Sequence, residues 1–190
     1  MKKQLISSSL TTPRLILINS TRDLLEGMLM GENVLASMLN IHIANPWSEF
    51  GDAPFKYALD KIKMHPGSEV WWSWLPILVS DNTLIGNCGY KGPPEKGVVE
   101  IGYEVALAYR QKGFATEMAK ALIKNAFAFQ DVDLVLAHTL AEENASVHVL
   151  RKCGFQFDGE LVDPEDGNIW RWKLPRGQYA LDSKPEKPLS

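Results

Sequence analysis

The sequence has few cysteines, no long apolar run and no marked excess of charge of one sign, and each shortage removes a class of protein. Only two cysteines occur among 190 residues, Cys88 and Cys153, far apart and without metal-ligand spacing. Both read as reduced, buried thiols, the usual state in a cytosolic protein. The four histidines, His42, His65, His138 and His148, show no ligand spacing either, so no metal is expected. No stretch approaches the roughly 20 apolar residues that span a bilayer. The start, MKKQLISSSLTTPRL, has the two lysines of a signal peptide, but Ser7, Ser8 and Ser9 interrupt the apolar core that should follow. A soluble, cytoplasmic protein with no membrane partner is expected. The net charge is −3 and the basic residues form no long block, so nucleic acid is not an expected partner either. Also missing are G-x-x-x-x-G-K-[ST] and G-x-G-x-x-G, the common phosphate-loop and dinucleotide fingerprints.

What is present is a packed globular chain, 45% hydrophobic, with no internal repeat and no composition shift that marks a boundary. One domain over residues 1–190 is expected, with a core of about residues 10–175 and a mobile tail at 176–190. RLILIN, Arg14–Asn19, reads as a strand with Pro13 at its entry. Ser20 or Thr21 then caps a helix over Asp23–Met30, and a second covers Glu32–Leu39. An irregular segment, Ile41–Phe50, leads to a helix over Pro54–Met64, opened by Asp52 and Pro54 and ended by Pro66-Gly67. Strands follow at Val70–Ser80, Thr83–Lys91 and Val98–Leu107, with Pro76 marking an edge or a bulge. A helix reaching Phe129 separates Val98–Leu107 from a strand at Leu134–Thr139, and such a crossover makes the two parallel. A helix over Asn144–Lys152 ends at Gly154 in a left-handed cap, and Phe155–Val162 with Asn168–Leu174 closes a hairpin.

The stretch Glu100–Glu117, EIGYEVALAYRQKGFATE, is a strand, a basic turn containing Gly113 and a helix start. Backbone N–H groups at a helix start lack intrahelical partners, the dipole favours an anion there, and glycine permits close approach. This is a phosphate or pyrophosphate site in outline. R-x-x-G-x-A, Arg110–Ala115, resembles the pyrophosphate loop of the GNAT superfamily of acyl-CoA-dependent N-acyltransferases. Asn144-Ala145-Ser146 at a helix start, with Lys152-Cys153-Gly154-Phe155 at its end, is similar to the second cofactor-contacting helix of that superfamily. The order of elements and the opening Thr12-x-Arg14-Leu15 strand agree, over about residues 10–175. Together they resemble the branch that includes ribosomal-protein N-terminal acetyltransferases.

The resemblance implies a mixed α/β (α+β) fold. Its central sheet would have about seven mostly antiparallel strands, a parallel pair at the cofactor cleft and helices on both faces. It implies acetyl-CoA as co-substrate and a primary amine as acceptor, on a protein N-terminus or on a small molecule such as a polyamine or an antibiotic. The enzyme would be a monomer or a homodimer. Implied cofactor contacts are Tyr103, Val105, Arg110, Gln111, Lys112, Gly113, Phe114, Ala115, Thr116, Asn144, Ser146 and Lys152. The N–H groups of Gln111–Ala115 would hold the pyrophosphate, and one near Val105 would polarise the thioester carbonyl. Glu100 takes the strand position of the superfamily's general base, with Glu104 as runner-up, although either can be a solvated strand residue. Many members place a tyrosine acid where this chain has Leu150, so Ser146 is the candidate proton donor. Asn144 and Ser146 can also simply cap and open their helix. The acceptor should meet Ile41–Phe50 and His65–Trp74, near Glu49, Asp52 and Glu69. Trp71, Trp72 and Trp74 read as core packing rather than a substrate cage. A non-catalytic acyl-CoA-binding module is the alternative.

Overall fold

The computed structural model describes residues 8–182. Its strands are β1 (Ser9–Thr11), β2 (Leu15–Asn19), β3 (His42–Ile43), β4 (Ser73–Leu78), β5 (Thr83–Leu84), β6 (Gly86–Tyr90), β7 (Val98–Val105), β8 (Leu134–Leu140), β9 (Gln156–Asp163) and β10 (Gly167–Pro175). Its helices are α1 (Arg22–Leu29), α2 (Glu32–Leu39), α3 (Ala53–Met64), α4 (Phe114–Ala128), α5 (Ala145–Lys152) and α6 (Arg176–Asp182). The strands form one sheet in the order β1-β2-β4-β6-β7-β8-β10-β9, with β5 paired to β4 and β3 to β5. Neighbours run antiparallel except β7–β8 and the short β3–β5 pair.

Period-two alternation in β7 divides the molecule. Val99, Ile101 and Val105 turn into a core under α4 and α5, which includes Met118, Leu122 and Val147. Glu100, Gly102 and Glu104 turn to the other face, where Leu24, Phe55, Leu75 and Leu84 build a second core under α1–α3. Leu122 is fully buried, so Leu122→Ala should cost about 2–5 kcal/mol. Trp71, Trp72 and Trp74 are all buried, as core packing requires.

The expected class holds, with differences that have local causes. The sheet has ten strands rather than about seven because short pieces pair at β1, β3 and β5. The strand expected over Thr83–Lys91 breaks at Ile85, next to Gly86 at φ 153°, where a Cβ would lie 2.2 Å from the Glu104 carbonyl oxygen. Pro76 is not on an edge: β4 lies between β2 and β6. The proline falls where the partner of β4 changes from β6 to β5, and its carbonyl accepts from Ile85 N–H at 3.1 Å, so its missing donor is not needed. Val70 and its neighbours form a 3-10 turn, Glu69–Trp71, and the expected strand begins only at Ser73. The tail is helical from Arg176 to Asp182. Arg176 donates to the carbonyls of Phe127 (2.8 Å), Phe129 and Val132, and Gln178 donates to Gly154 O at 2.7 Å. Residues 183–190, and residues 1–7 of the start read for a signal peptide, lie outside the described residues. Among the described residues, no helix is long and apolar enough to cross a membrane.

Candidate active site

The parallel ladder between β7 and β8 holds only three pairs, ending at Glu100 with Leu136. Beyond it β7 pairs only with β6, and β8 only with β10, so the two strands part. The bonds from Lys91 N–H to Glu100 O (3.0 Å) and from Ala106 N–H to Ile85 O (2.8 Å) turn the backbone groups of even-numbered β7 residues towards β6. The backbone groups of Tyr103 and Val105 therefore face the gap. A cavity of about 830 Å³ fills it, bounded on one face by Trp72, Glu100 and His138 and on the other by Tyr103, Thr139 and Ser146.

At the end of β7 the chain passes a 3-10 turn, Leu107–Tyr109, and enters the basic loop. Gln111 and Gly113 both have positive φ, 61° and 82°, which turns consecutive N–H groups outward. Glu117 N–H is the first in α4 bonded to the preceding turn, through Gly113 O. The N–H groups of Gln111, Lys112, Gly113, Phe114, Ala115 and Thr116 have no protein acceptor among the described residues. The loop is braced from behind by a residue that the T-x-R-L pattern left without a role. Arg14 donates from Nη1 to Lys112 O (2.9 Å) and from Nε to Glu117 Oε2 (2.7 Å), while Thr12 Oγ1 donates to Glu117 Oε1 (2.6 Å). Burial raises the Glu117 carboxyl, but the Thr12 hydroxyl and the backbone and guanidinium of Arg14 outweigh it and hold the group below the usual glutamate range. A Cβ at Gly113 would meet only Arg14 Nη2, at 3.5 Å, so the protein itself leaves the space above the glycine open.

On the α5 side, Asn144 is the helix cap: its side chain accepts from Val147 N–H at 3.0 Å. Ser146 follows in the first turn, half-buried in the cavity wall, and its carbonyl accepts from the Tyr103 hydroxyl at 3.4 Å. Burial pushes the Tyr103 phenol well above its ordinary value, so it stays protonated. Leu150 is buried in the α4-side core and offers no proton donor. Gly154, at φ 85°, is left-handed as its sequence predicts. Cys153 Sγ lies 3.9 Å from Thr116 O, so the end of α5 abuts the first turn of α4, with Lys152 exposed beside it. Burial pushes the Cys153 thiol up to about 11, and that of the fully enclosed Cys88 further, so both are thiols rather than thiolates.

On the opposite face, Glu100 Oε1 is buried and lies 2.5 Å from Lys91 Nζ and 3.0 Å from His138 Nδ1. Those separations are ion-pair distances without hydrogen-bond alignment. Glu104 has a different task. Its carboxylate accepts from Ser48 Oγ (2.7 Å) and Glu49 N–H (3.0 Å), which fastens the irregular segment to β7. Arg110 belongs to the same fastening: Nη2 pairs with Glu49 Oε1 at 2.7 Å and Nε donates to Val105 O at 2.9 Å. Its guanidinium thus lies on the side of the loop that faces the irregular segment. The acids expected near the acceptor, Glu49, Asp52 and Glu69, do not line the cavity; Glu100, Glu104, Glu165 and Asp166 do. Lys91 and His138 were not singled out by their spacing, although period two on β8 puts His138 on the face of Leu136, beside Glu100.

Residues 32–156 match a family model described as an acetyltransferase (GNAT) domain. The chain belongs to the GNAT acetyltransferase family. An uncharacterized N-acetyltransferase of Bacillus subtilis, YjdG, is 29% identical over 111 residues, 58% of this GNAT chain and 66% of the relative. The match therefore spans just under two thirds of that relative's length. Among solved structures, a candidate ribosomal-protein-serine acetyltransferase from Vibrio cholerae aligns with TM-score 0.61 and 16% identity, over 89% of this chain and 98% of that one. The spermidine N-acetyltransferase of Vibrio cholerae in complex with CoA and spermine aligns with TM-score 0.55 and 19% identity, over 66% and 78%. At such identities these likenesses speak for the fold.

Proposed function

We propose that this protein transfers an acetyl group from acetyl-CoA to a primary amine by direct attack in a ternary complex. The observation that carries the reading is the pairing of two features at one strand end. Six outward N–H groups sit on a braced helix start, beside a gap in which β7 offers the Tyr103 backbone and the Val105 N–H to an extended arm, the Val105 carbonyl being held by Arg110. Acetyl-CoA supplies a thioester whose carbonyl carbon is open to a nitrogen nucleophile. In this reading the Gln111–Thr116 amides bind the pyrophosphate, assisted by the α4 dipole. Lys152 meets the cofactor from the end of α5. The β7 edge at Tyr103 and Val105 aligns the arm, and Val105 N–H faces the thioester carbonyl.

The acceptor approaches from the α1–α3 face. An unperturbed alkylamine has a pKa of roughly 10.4 and must lose a proton before it attacks. The Glu100 carboxylate, on that face of the gap, supplies the negative charge that drives the loss. Ser146 and the protonated Tyr103 lie where the sulfur departs, although a thiol of pKa about 8.5 leaves tolerably without a strong acid. Tyr57 and the acids at Glu104, Glu165 and Asp166 favour an acceptor that is cationic and partly apolar. A polyamine and a peptide N-terminus both meet that description.

Calorimetric titration with acetyl-CoA, followed by CoA release measured against spermidine and a serine-initiated peptide, tests the proposal. Binding with release dependent on an amine is the expected result. Binding without release from any primary amine points to a module that has lost turnover, and no binding refutes both readings.

A further inference from the structure

We infer, building on the acetyl-transfer reading above, that His138 is the group that takes the proton from the acceptor amine and that Glu100 positions it. The inference begins with topology. His138 stands two residues past Leu136, the last member of the parallel ladder, on the same face as Glu100 and in the cavity wall. Its Nδ1 is 3.0 Å from Glu100 Oε1. A carboxylate can only accept a hydrogen bond, so at this separation Nδ1 carries the proton and the neutral ring has its lone pair on Nε2. The His138–Glu100 contact is at ion-pair distance, and among the described residues the imidazole has no hydrogen-bond partner, which leaves Nε2 for the acceptor.

Glu100 itself is less well placed for the task, because Oε1 is shared between Lys91 Nζ and His138. Imidazoles as a class change charge within the physiological range, which suits a base working near neutral pH. The charged neighbours support an imidazolium once it forms. Glu100 faces it from β7, Asp163 from the end of β9, and Glu165 and Asp166 line the same cavity. Against them stand Lys91, paired to Glu100, and Arg171, opposite His138 on β10 and tied to Asp158 at 2.8 Å. In the step, the ammonium gives one proton to Nε2 and the freed lone pair attacks the thioester carbonyl carbon. The N–C bond forms, the C–S bond breaks, and its electrons leave with sulfur. Sulfur receives the second proton of the nitrogen, and Nε2 passes the first to solvent. Ammonium and thioester thus yield amide, thiol and one released proton.

Nitrogen-15 NMR of the His138 ring tests the arrangement without any acceptor. The expected result is the Nδ1–H tautomer in the neutral ring; a ring protonated at Nε2 overturns the inference. With spermidine or the serine-initiated peptide as acceptor, His138→Gln should lower kcat about 10²-fold or more, with acetyl-CoA affinity unchanged within about twofold. Imidazole in solution should partly restore His138→Ala. Wild-type kcat in His138→Gln would also overturn it. Failure of the underlying reading looks different, because there the wild-type protein does not bind acetyl-CoA at all.

Discussion

The loop at Arg110–Thr116 and the segment at Ala44–Asp52 both abut the end of β7, yet different forces hold them. The loop rests on Glu117, a carboxylate only 12% exposed that collects Thr12, the Arg14 backbone and the Arg14 guanidinium. Phe114 adds a ring 4.3 Å beneath the same guanidinium. The segment hangs on Glu104 and Arg110, and its Glu49 is 61% exposed. Partly buried, multiply bonded charge fixes geometry, whereas exposed pairs contribute about 1 kcal/mol or less. The comparison teaches that the loop is preorganised and the segment is adjustable, which fits the cofactor and acceptor sides of the proposed reaction. Arg110 joins the two, since it opens the loop and grips the segment.

Substitutions should therefore separate by side. The largest effect is expected for Glu100→Gln, with turnover falling about 10²–10⁴-fold and acetyl-CoA affinity nearly unchanged. Steady-state kinetics across pH should show the loss greatest where the acceptor is mostly protonated; a uniform loss would assign Glu100 a structural task. Gly113→Val should act on the other side and weaken acetyl-CoA binding about tenfold or more by calorimetry. The left-handed backbone alone costs a residue with a Cβ about 1–2 kcal/mol, and the new side chain fills the open space above the loop. Wild-type affinity in a folded variant would remove the loop from the cofactor site.

Glu104→Ala should release Ser48 and Glu49 and raise the acceptor KM a few-fold, without moving acetyl-CoA affinity. An equal change in both constants would show that the two sides are one rigid unit. On the α5 side, Asn144→Ala should lower stability by about 1 kcal/mol through loss of its cap. Ser146→Ala should leave the melting temperature unchanged and cost less than about tenfold in turnover. The smallest effect concerns acid. Because the folded state holds the Glu117 carboxyl below its unfolded value, its stabilisation is complete above the ordinary glutamate range, roughly pH 4.3, and fades as pH falls through the folded value. Thermal melts of Glu117→Gln should thus differ from wild type near neutral pH and converge with it in acid.

Much of this architecture was legible in periodicity. Alternation in Val98–Val105, the crossover to Leu134 and the glycine at position 154 each state a local rule that the fold obeys. Pro76 marked an edge or a bulge; β2 and β6 rule out the edge, and the one-residue register shift between Trp74↔Cys88 and Ile77↔Leu84 is the bulge. The tail past Pro175 looked mobile by composition, but Arg176 finds three carbonyls at the end of α4 that no local pattern announces. At the site, Gly113 and its neighbours were readable because helix starts carry their chemistry in the backbone. The Arg14–Glu117 brace, spanning 103 residues, and the meeting of Lys91, Glu100 and His138 were not. They join side chains from different elements, and their pairing exists only once those elements have packed.

The central claim is that acetyl-CoA occupies the preorganised side and leaves the adjustable side for an amine. The most direct measurement is a nitrogen-15-resolved NMR titration of the folded protein with acetyl-CoA. The account predicts large shifts and slowed exchange for the amides of Gln111–Thr116 and of Tyr103 and Val105, with His42–Ala44 and Thr83–Leu84 little changed. Unshifted amides at Gln111–Thr116 during saturable binding would contradict it.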